Sequence, residues 1–269
     1  MANLNRRNLK RRNHYLPACY QAGFTNSAGQ VWVKLANKSK PEPRNPKNLG
    51  WKRSLYIVTR GGEETDKVED FFSDQIETPF AALSQRIKEE QDKFATISGD
   101  ELGILARFVA SQAVRTLGHK ECIEEQAQVR VDTETFVRVM GRKTIMLLNN
   151  WIQNPPALHF YTSLPHIGDR FITGDHPVVV TIENYNPVWV PRSEPTLGIT
   201  NLTDILSNPK HGFLIPLSPY VCLGIQGKAD REPSLPPAPV DPQFVRFVNG
   251  CIRGQSKYFI LARDAESLA

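Results

Sequence analysis

No apolar run in this chain approaches the roughly 18 residues of a membrane-spanning helix, so no such span is expected. Cysteine is scarce and scattered. Cys19, Cys122, Cys222 and Cys251 make no CxxC pair, which argues against a zinc site and for buried free thiols in a reducing cytoplasm. There is no P-loop, no G-x-G-x-x-G opening a helix after a strand, no H-E-x-x-H and no zinc-finger spacing. Nucleotide-driven motors, Rossmann-type dehydrogenases and zincins are disfavoured accordingly. The N-terminus is basic without a following apolar segment, so a secretory signal is not expected either.

Acidic residues are the scarcest feature near the start. Residues 1–60 hold thirteen Lys/Arg against one acid, Glu42, a charge of +12. The remaining 209 residues carry 20 basic and 27 acidic side chains, a charge of −7. A basic segment on an acidic body can attract a polyanion such as nucleic acid, or can pack against its own body. Arg6, Arg7, Lys10, Arg11 and Arg12 are the candidate nucleic-acid contacts. Few apolar anchors occur in residues 1–13, which read as a basic flexible arm. Residues 14–269 read as a single domain, since 269 residues can bury a sizeable core.

Periodicity divides that domain. A strand is expected over 31–35 and another over 54–58, with 37–50 as a proline-rich loop between them. Val68, Phe72, Ile76, Phe80, Leu83 and Ile87 recur at helical spacing, and Pro79 should kink that helix or open a second one behind Thr78. Ser98-Gly99-Asp100-Glu101 is a capping box that opens a helix running to Arg115. A further helix is expected over 133–152. Strands follow at 158–161, 170–173, 178–182, 212–216 and 221–226. Residues 228–240, with four prolines, read as a surface connection, followed by a helix over 244–256 and a strand at 258–261. The fold class is α+β: a small N-terminal β element, a helical middle, and a mostly antiparallel C-terminal sheet with one late helix.

Five residues stand out. Phe171-Ile172-Thr173-Gly174-Asp175-His176-Pro177 places a carboxylate at a break between strand-like runs, where sites on scaffolds tend to sit. Gln112 and Arg115 share a helix face with Phe108, so that face points inward and its polar groups need partners. Asp175 is the natural bidentate partner for Arg115, with Glu77 a second candidate. Asp175 equally reads as an Asx-turn ending a strand. His14, between the basic arm and an apolar segment, is expected near Asp175 as a general base or as a core histidine. Convergence of His14, Glu77, Gln112, Arg115 and Asp175 would supply a base, an acid and an anion clamp.

The motifs also occur in a suggestive order: His14-Tyr15-Leu16-Pro17; Glu69 and Glu77; Gln112-Ala113-Val114-Arg115-Thr116; Phe171 to Pro177; Pro216-Leu217-Ser218-Pro219; and Val248-Asn249. Together they resemble domain-of-unknown-function family 4238, bacterial proteins with a His-Tyr-Val-Pro motif, over about residues 13 to 263. Leu16 replaces the usual Val, and Gly174 and His176 stand where the family more often has Ser and Asn. The resemblance implies no activity. Three expectations stand side by side. One is a cytoplasmic hydrolase, of the nuclease-like effector kind, acting on nucleic acid or nucleotide. The second is a non-catalytic nucleic-acid-binding or regulatory module. The third is a partner-binding protein with a structural polar core. No cofactor is evident, and the carboxylates would admit a divalent metal.

Overall fold

The computed structural model describes residues 9–90, 97–153, 156–163, 168–182, 186–187, 211–226 and 235–269. Its first elements are β1 (Arg12–His14), α1 (Ala18–Ala22), β2 (Val31–Leu35), β3 (Glu42–Arg44), β4 (Trp51–Arg53), β5 (Val58–Arg60) and β6 (Glu63–Thr65). Helices α2 (Lys67–Phe72), α3 (Thr78–Glu90), α4 (Gly99–Val114), α5 (Leu117–Ala127) and α6 (Thr133–Gln153) follow. Strands β7 (Ala157–Ser163), β8 (Thr173–Gly174), β9 (Val179–Ile182), β10 (Asn186–Pro187), β11 (His211–Pro216), β12 (Val221–Gln226) and β13 (Leu235–Val240) come next. Helix α7 (Pro242–Gln255) and β14 (Phe259–Ala262) close the order. The architecture is α+β.

Val31 and Val33 alternate inward along β2, whereas every residue of β14 is buried. A strand buried on both faces belongs inside a sheet. β14 accordingly lies between β2 and β8 in a four-stranded sheet ordered β3-β2-β14-β8. The small N-terminal β element expected from the sequence is therefore half of a sheet that C-terminal strands complete. The larger sheet has the order β10-β9-β11-β12-β7-β13 and is antiparallel except for β13 against β7.

Ser98 caps α4 and Glu101 reaches back to the Ser98 amide at 2.8 Å, so the capping box forms as expected. Between α2 and α3 the chain makes a π turn over Ser73–Glu77, directly before Pro79. Proline lacks the amide that the preceding turn would use, and the wider turn absorbs the mismatch. Phe80 of α3 stacks on Phe108 of α4 with centroids 3.6 Å apart. Tyr20 of α1 packs on both rings. Its hydroxyl donates to the Pro216 carbonyl at 2.6 Å and accepts from Thr173 at 2.7 Å, tying the helices to both sheets. A second apolar cluster, including Val245, Val248 and Ile252, joins α7 to Phe171, Ile172 and Val179.

Five expectations differ from the structure, the first being the strand over 170–173, where only Thr173 and Gly174 form β8. The 37–50 loop contains β3 and a short 3-10 turn at Pro46–Asn48. The 54–58 segment is a turn between β4 and β5, with Ser54 at φ 56°. Helix α5 has few apolar residues at helical spacing, so periodicity passes over it. Its signal is the Thr116 side chain, which caps the His119 amide at 3.2 Å. β13 forms despite Pro236, Pro237 and Pro239 because it is an edge strand with a register shift, where missing amide donors are tolerated. Among the described residues, no helix is long and apolar enough to cross a membrane. All four cysteines are free, and only Cys222 is fully buried.

Candidate functional site

Arg115 ends α4 and is completely buried. A buried guanidinium survives only with partners that offset its lost hydration. Its Nη2 donates to Glu77 Oε1 at 2.8 Å and also to the His14 carbonyl oxygen. Its carbon lies 4.1 Å from the Phe72 ring centre and 5.7 Å from that of Tyr56. Burial opposes the charge, but Tyr56 and Glu77 outweigh it and raise the Arg115 pKa. Nε and Nη1 have no partner among the described residues. Two of the three guanidinium nitrogens of Arg115 are therefore sealed from solvent without a partner among the described residues, which is costly unless a polar group meets them.

Glu69 lies on α2 and Glu77 at the end of the π turn. Eight residues of regular α-helix would leave them about 80° apart in direction. The π turn advances less per residue and turns Glu77 back towards Glu69. Burial pushes the Glu69 carboxyl up to about 7 against the pull of Arg115, and Glu77 adds to the rise. Glu69 Oε2 has no protein partner. Asn13 braces this region: its side chain accepts the Tyr56 amide at 3.0 Å and donates to the Lys10 carbonyl at 2.8 Å. The Tyr56 hydroxyl donates to the Arg115 carbonyl at 3.2 Å. Glu77 keeps 21% of its side chain exposed, so the cluster reaches the surface on that side.

His14 joins the cluster through its backbone, not as expected through a ring near Asp175. Its Nε2 stands 3.4 Å from the Lys47 carbonyl, and burial lowers its pKa. Asp175 does not pair with Arg115. Its carboxylate accepts the backbone amides of Lys257, Tyr258 and Phe259 at 3.1–3.3 Å. Those three amides project from the chain entering β14, so Asp175 fastens β8 to β14. The Asx-turn reading fails for the same reason: its acceptor oxygens look across the sheet. Burial raises the Asp175 pKa despite the amides.

Gln112 is buried on the face shared with Arg115, and neither atom of its amide finds a partner among the described residues. His119 on α5 is likewise buried with both ring nitrogens unpaired, and burial holds its pKa well below the usual value. His176 Nδ1 lies 2.9 Å from the Thr116 hydroxyl, and burial lowers its pKa to about 4. The five expected site residues thus divide. His14, Glu77 and Arg115 meet directly, Gln112 lines the same helix face, and Asp175 belongs to the sheet. Glu69, Asn13 and Tyr56 were not expected as members. Glu69 alone carried a sequence signal, its place with Glu77 on one long helix.

The flexible arm expected over residues 1–13 does not hold for its described part. Residues 9–13 lie against the body. The Lys10 amide donates to Asp66 at 2.9 Å and its ammonium meets Asp70 at 2.8 Å. Arg11 pairs with Glu64 at 2.5 Å, and Arg12 begins β1. Arg6 and Arg7 fall outside the described residues. Among the described residues, no group of three or more His, Cys, Asp or Glu is arranged to hold a metal ion. A cleft of about 420 Å³ beside α7 holds Arg170, Arg246 and Arg253. Each bonds within its own chain: Arg170 to Asp264, Arg246 to Asp169, and Arg253 to the Ser267 carbonyl.

No curated protein and no solved structure matches the chain. A family model does, described as "Protein of unknown function (DUF4238)", over residues 12–154. The matched span runs from β1 to the end of α6 and so contains Asn13, His14, Tyr56, Glu69, Glu77, Gln112 and Arg115. The later motifs, around Asp175, Ser218 and Asn249, lie beyond it. On that match, the chain belongs to the DUF4238 family.

Proposed function

We propose that this protein is a hydrolase of an anionic substrate, of the nucleotide or nucleic-acid kind, working at the Arg115 cluster. One observation carries the reading: a wholly buried guanidinium has two unpaired nitrogens beside a carboxyl pushed up to about 7. In this arrangement Arg115 holds the substrate's negative charge. Glu69, still protonated near neutral pH where an acid–base group is most effective, gives a proton to the leaving group. Glu77 keeps Arg115 oriented. The test is turnover of bis-p-nitrophenyl phosphate, nucleotides and a labelled RNA strand by the wild type and by Glu69→Gln. The expected result is a rate that falls as pH rises through about 7 in the wild type and is lost in the folded variant.

A second reading has its own support. Arg115 binds the His14 carbonyl, and Tyr56 binds the Arg115 carbonyl, so the cluster also clamps β1 to α4. On that reading the polar core is structural, and Arg115→Ala unfolds a protein that turns over none of these substrates.

A further inference from the structure

Strands β1 and β4 form a two-stranded ribbon with Arg12 opposite Arg53, Asn13 opposite Lys52 and His14 opposite Trp51. Opposed residues of an antiparallel pair point to the same face, and the faces alternate. Arg12, His14, Trp51 and Arg53 therefore share one face, and Asn13 turns inward to full burial. Like charges directly opposite each other destabilise a strand pair. Neither strand holds an acid to relieve Arg12 and Arg53. The exposed Lys47 lies next to them, since the Arg12 guanidinium reaches its backbone carbonyl and the Asn48 side chain. Trp51 keeps 40% of its surface exposed, although indole is costly to leave in water. The Arg12 guanidinium lies 4.5 Å from its ring centre and holds the ring at the surface.

A flat aromatic ring among cations with no ion pair among the described residues is the arrangement that single strands use: bases stack on the ring while phosphates meet the charges. We infer that the outer face of the β1–β4 ribbon binds single-stranded nucleic acid, with Trp51 as the stacking platform and Arg12, Lys47 and Arg53 as phosphate contacts. Double helices fit less well, because their bases are already stacked and cannot reach a single exposed ring. The ribbon also leads to the polar cluster, since the carbonyl of His14 is the one that Arg115 grips. The surface adds a partner to the hydrolase reading and does not depend on it.

The experiment is fluorescence anisotropy on the full chain with a labelled thymidylate strand of about twelve nucleotides and its duplex, at about 50 and about 200 mM salt. Binding to the strand should exceed binding to the duplex and weaken as salt rises. Trp51→Ala should weaken it about tenfold, the equivalent of about 1.4 kcal/mol of stacking. Arg53→Glu should weaken it and flatten the salt dependence by about one phosphate contact. Arg246→Glu makes the same charge change outside the ribbon and should leave affinity unchanged. No binding at low salt overturns the inference, as does equal affinity for the duplex or an equal loss in Arg246→Glu. Poly-glutamate competing as well as the oligonucleotide would assign the face to an acidic protein partner instead. Glu69→Gln separates this inference from the hydrolase reading: it should keep full binding, and if it also keeps turnover, only the hydrolase reading falls.

Discussion

Replacing Glu69 by Gln should make the protein more stable at alkaline pH. The Glu69 carboxyl moves from 4.5 to about 7 on folding because burial penalises its charge. In the native state it binds a proton more tightly than in the unfolded chain. Its contribution to stability is therefore complete below about pH 4.5 and lost as pH rises through about 7. A shift from 4.5 to 7, at about 1.36 kcal/mol per pH unit, corresponds to about 3 kcal/mol. Gln has the same shape and carries no charge to desolvate, so by pH 8.5 the variant should gain up to about 3 kcal/mol relative to wild type. Near pH 4.5 the two should be nearly equal. Urea unfolding across that range, followed by circular dichroism, gives the difference directly. Taking variant minus wild type cancels the titrating groups that do not interact with Glu69. A difference that stays flat with pH, or that favours the wild type at pH 8.5, would refute both the buried placement of Glu69 and its assignment as a proton carrier. A stabilised variant that loses turnover would instead be the signature of a site maintained at a cost to stability.

His176 should act in the opposite direction. Its pKa falls from 6.5 to about 4 on folding, so the unfolded chain binds the extra proton first and stability drops as pH falls from 6.5 towards 4. The ceiling is about 3 kcal/mol, reduced because the residue is only half-buried, and His176→Asn should flatten the acid limb of thermal unfolding. Asp175→Asn should cost about 1–3 kcal/mol by weakening acceptance of the three amides entering β14, with little effect on any turnover. Full loss of turnover in a stable Asp175→Asn protein would move the site to the sheet. A methyl group on Gly174 would meet the Phe259 carbonyl at 3.0 Å and the Ser256 side chain closer still. Gly174→Ala should thus destabilise by about 1–3 kcal/mol, and adding Ser256→Gly should recover part of that loss in a double-mutant cycle.

The sequence was most legible where one local signal decided the structure. The Ser98–Glu101 capping box, the inward face of α4 and the apolar run of α7 all form as their spacing requires. Of the inward polar residues on α4, Arg115 has the Glu77 partner that the sequence offered as its second candidate, whereas the Gln112 amide finds none among the described residues. Spacing along one helix cannot choose Glu77 over Asp175 for Arg115, because it shows neither the π turn nor the amides of 257–259 that already hold Asp175. Helix α5 was missed because a polar helix carries its signal in a cap, not in periodicity. The prolines of β13 misled because their cost depends on edge position, which only the assembled sheet defines. The run of cations near the start looked like free charge, but Lys10 and Arg11 had acids waiting more than fifty positions along the chain.

The place of β14 between β2 and β8 has a consequence for synthesis. On the ribosome, β2 emerges more than two hundred residues before its neighbour, so the sheet that seats Asp175 cannot close until the last strand leaves the exit tunnel. Contacts so distant along the chain slow folding, because a long loop must be closed before any pairing stabilises it. During that interval β2 offers an unpaired edge that includes Val31 and Val33, the kind of surface that recruits another chain. A nascent chain stalled before residue 259 would hold the Arg115 cluster's own helices but not the strand that completes this sheet. Such stalled chains are where chaperone dependence and aggregation of this protein should concentrate.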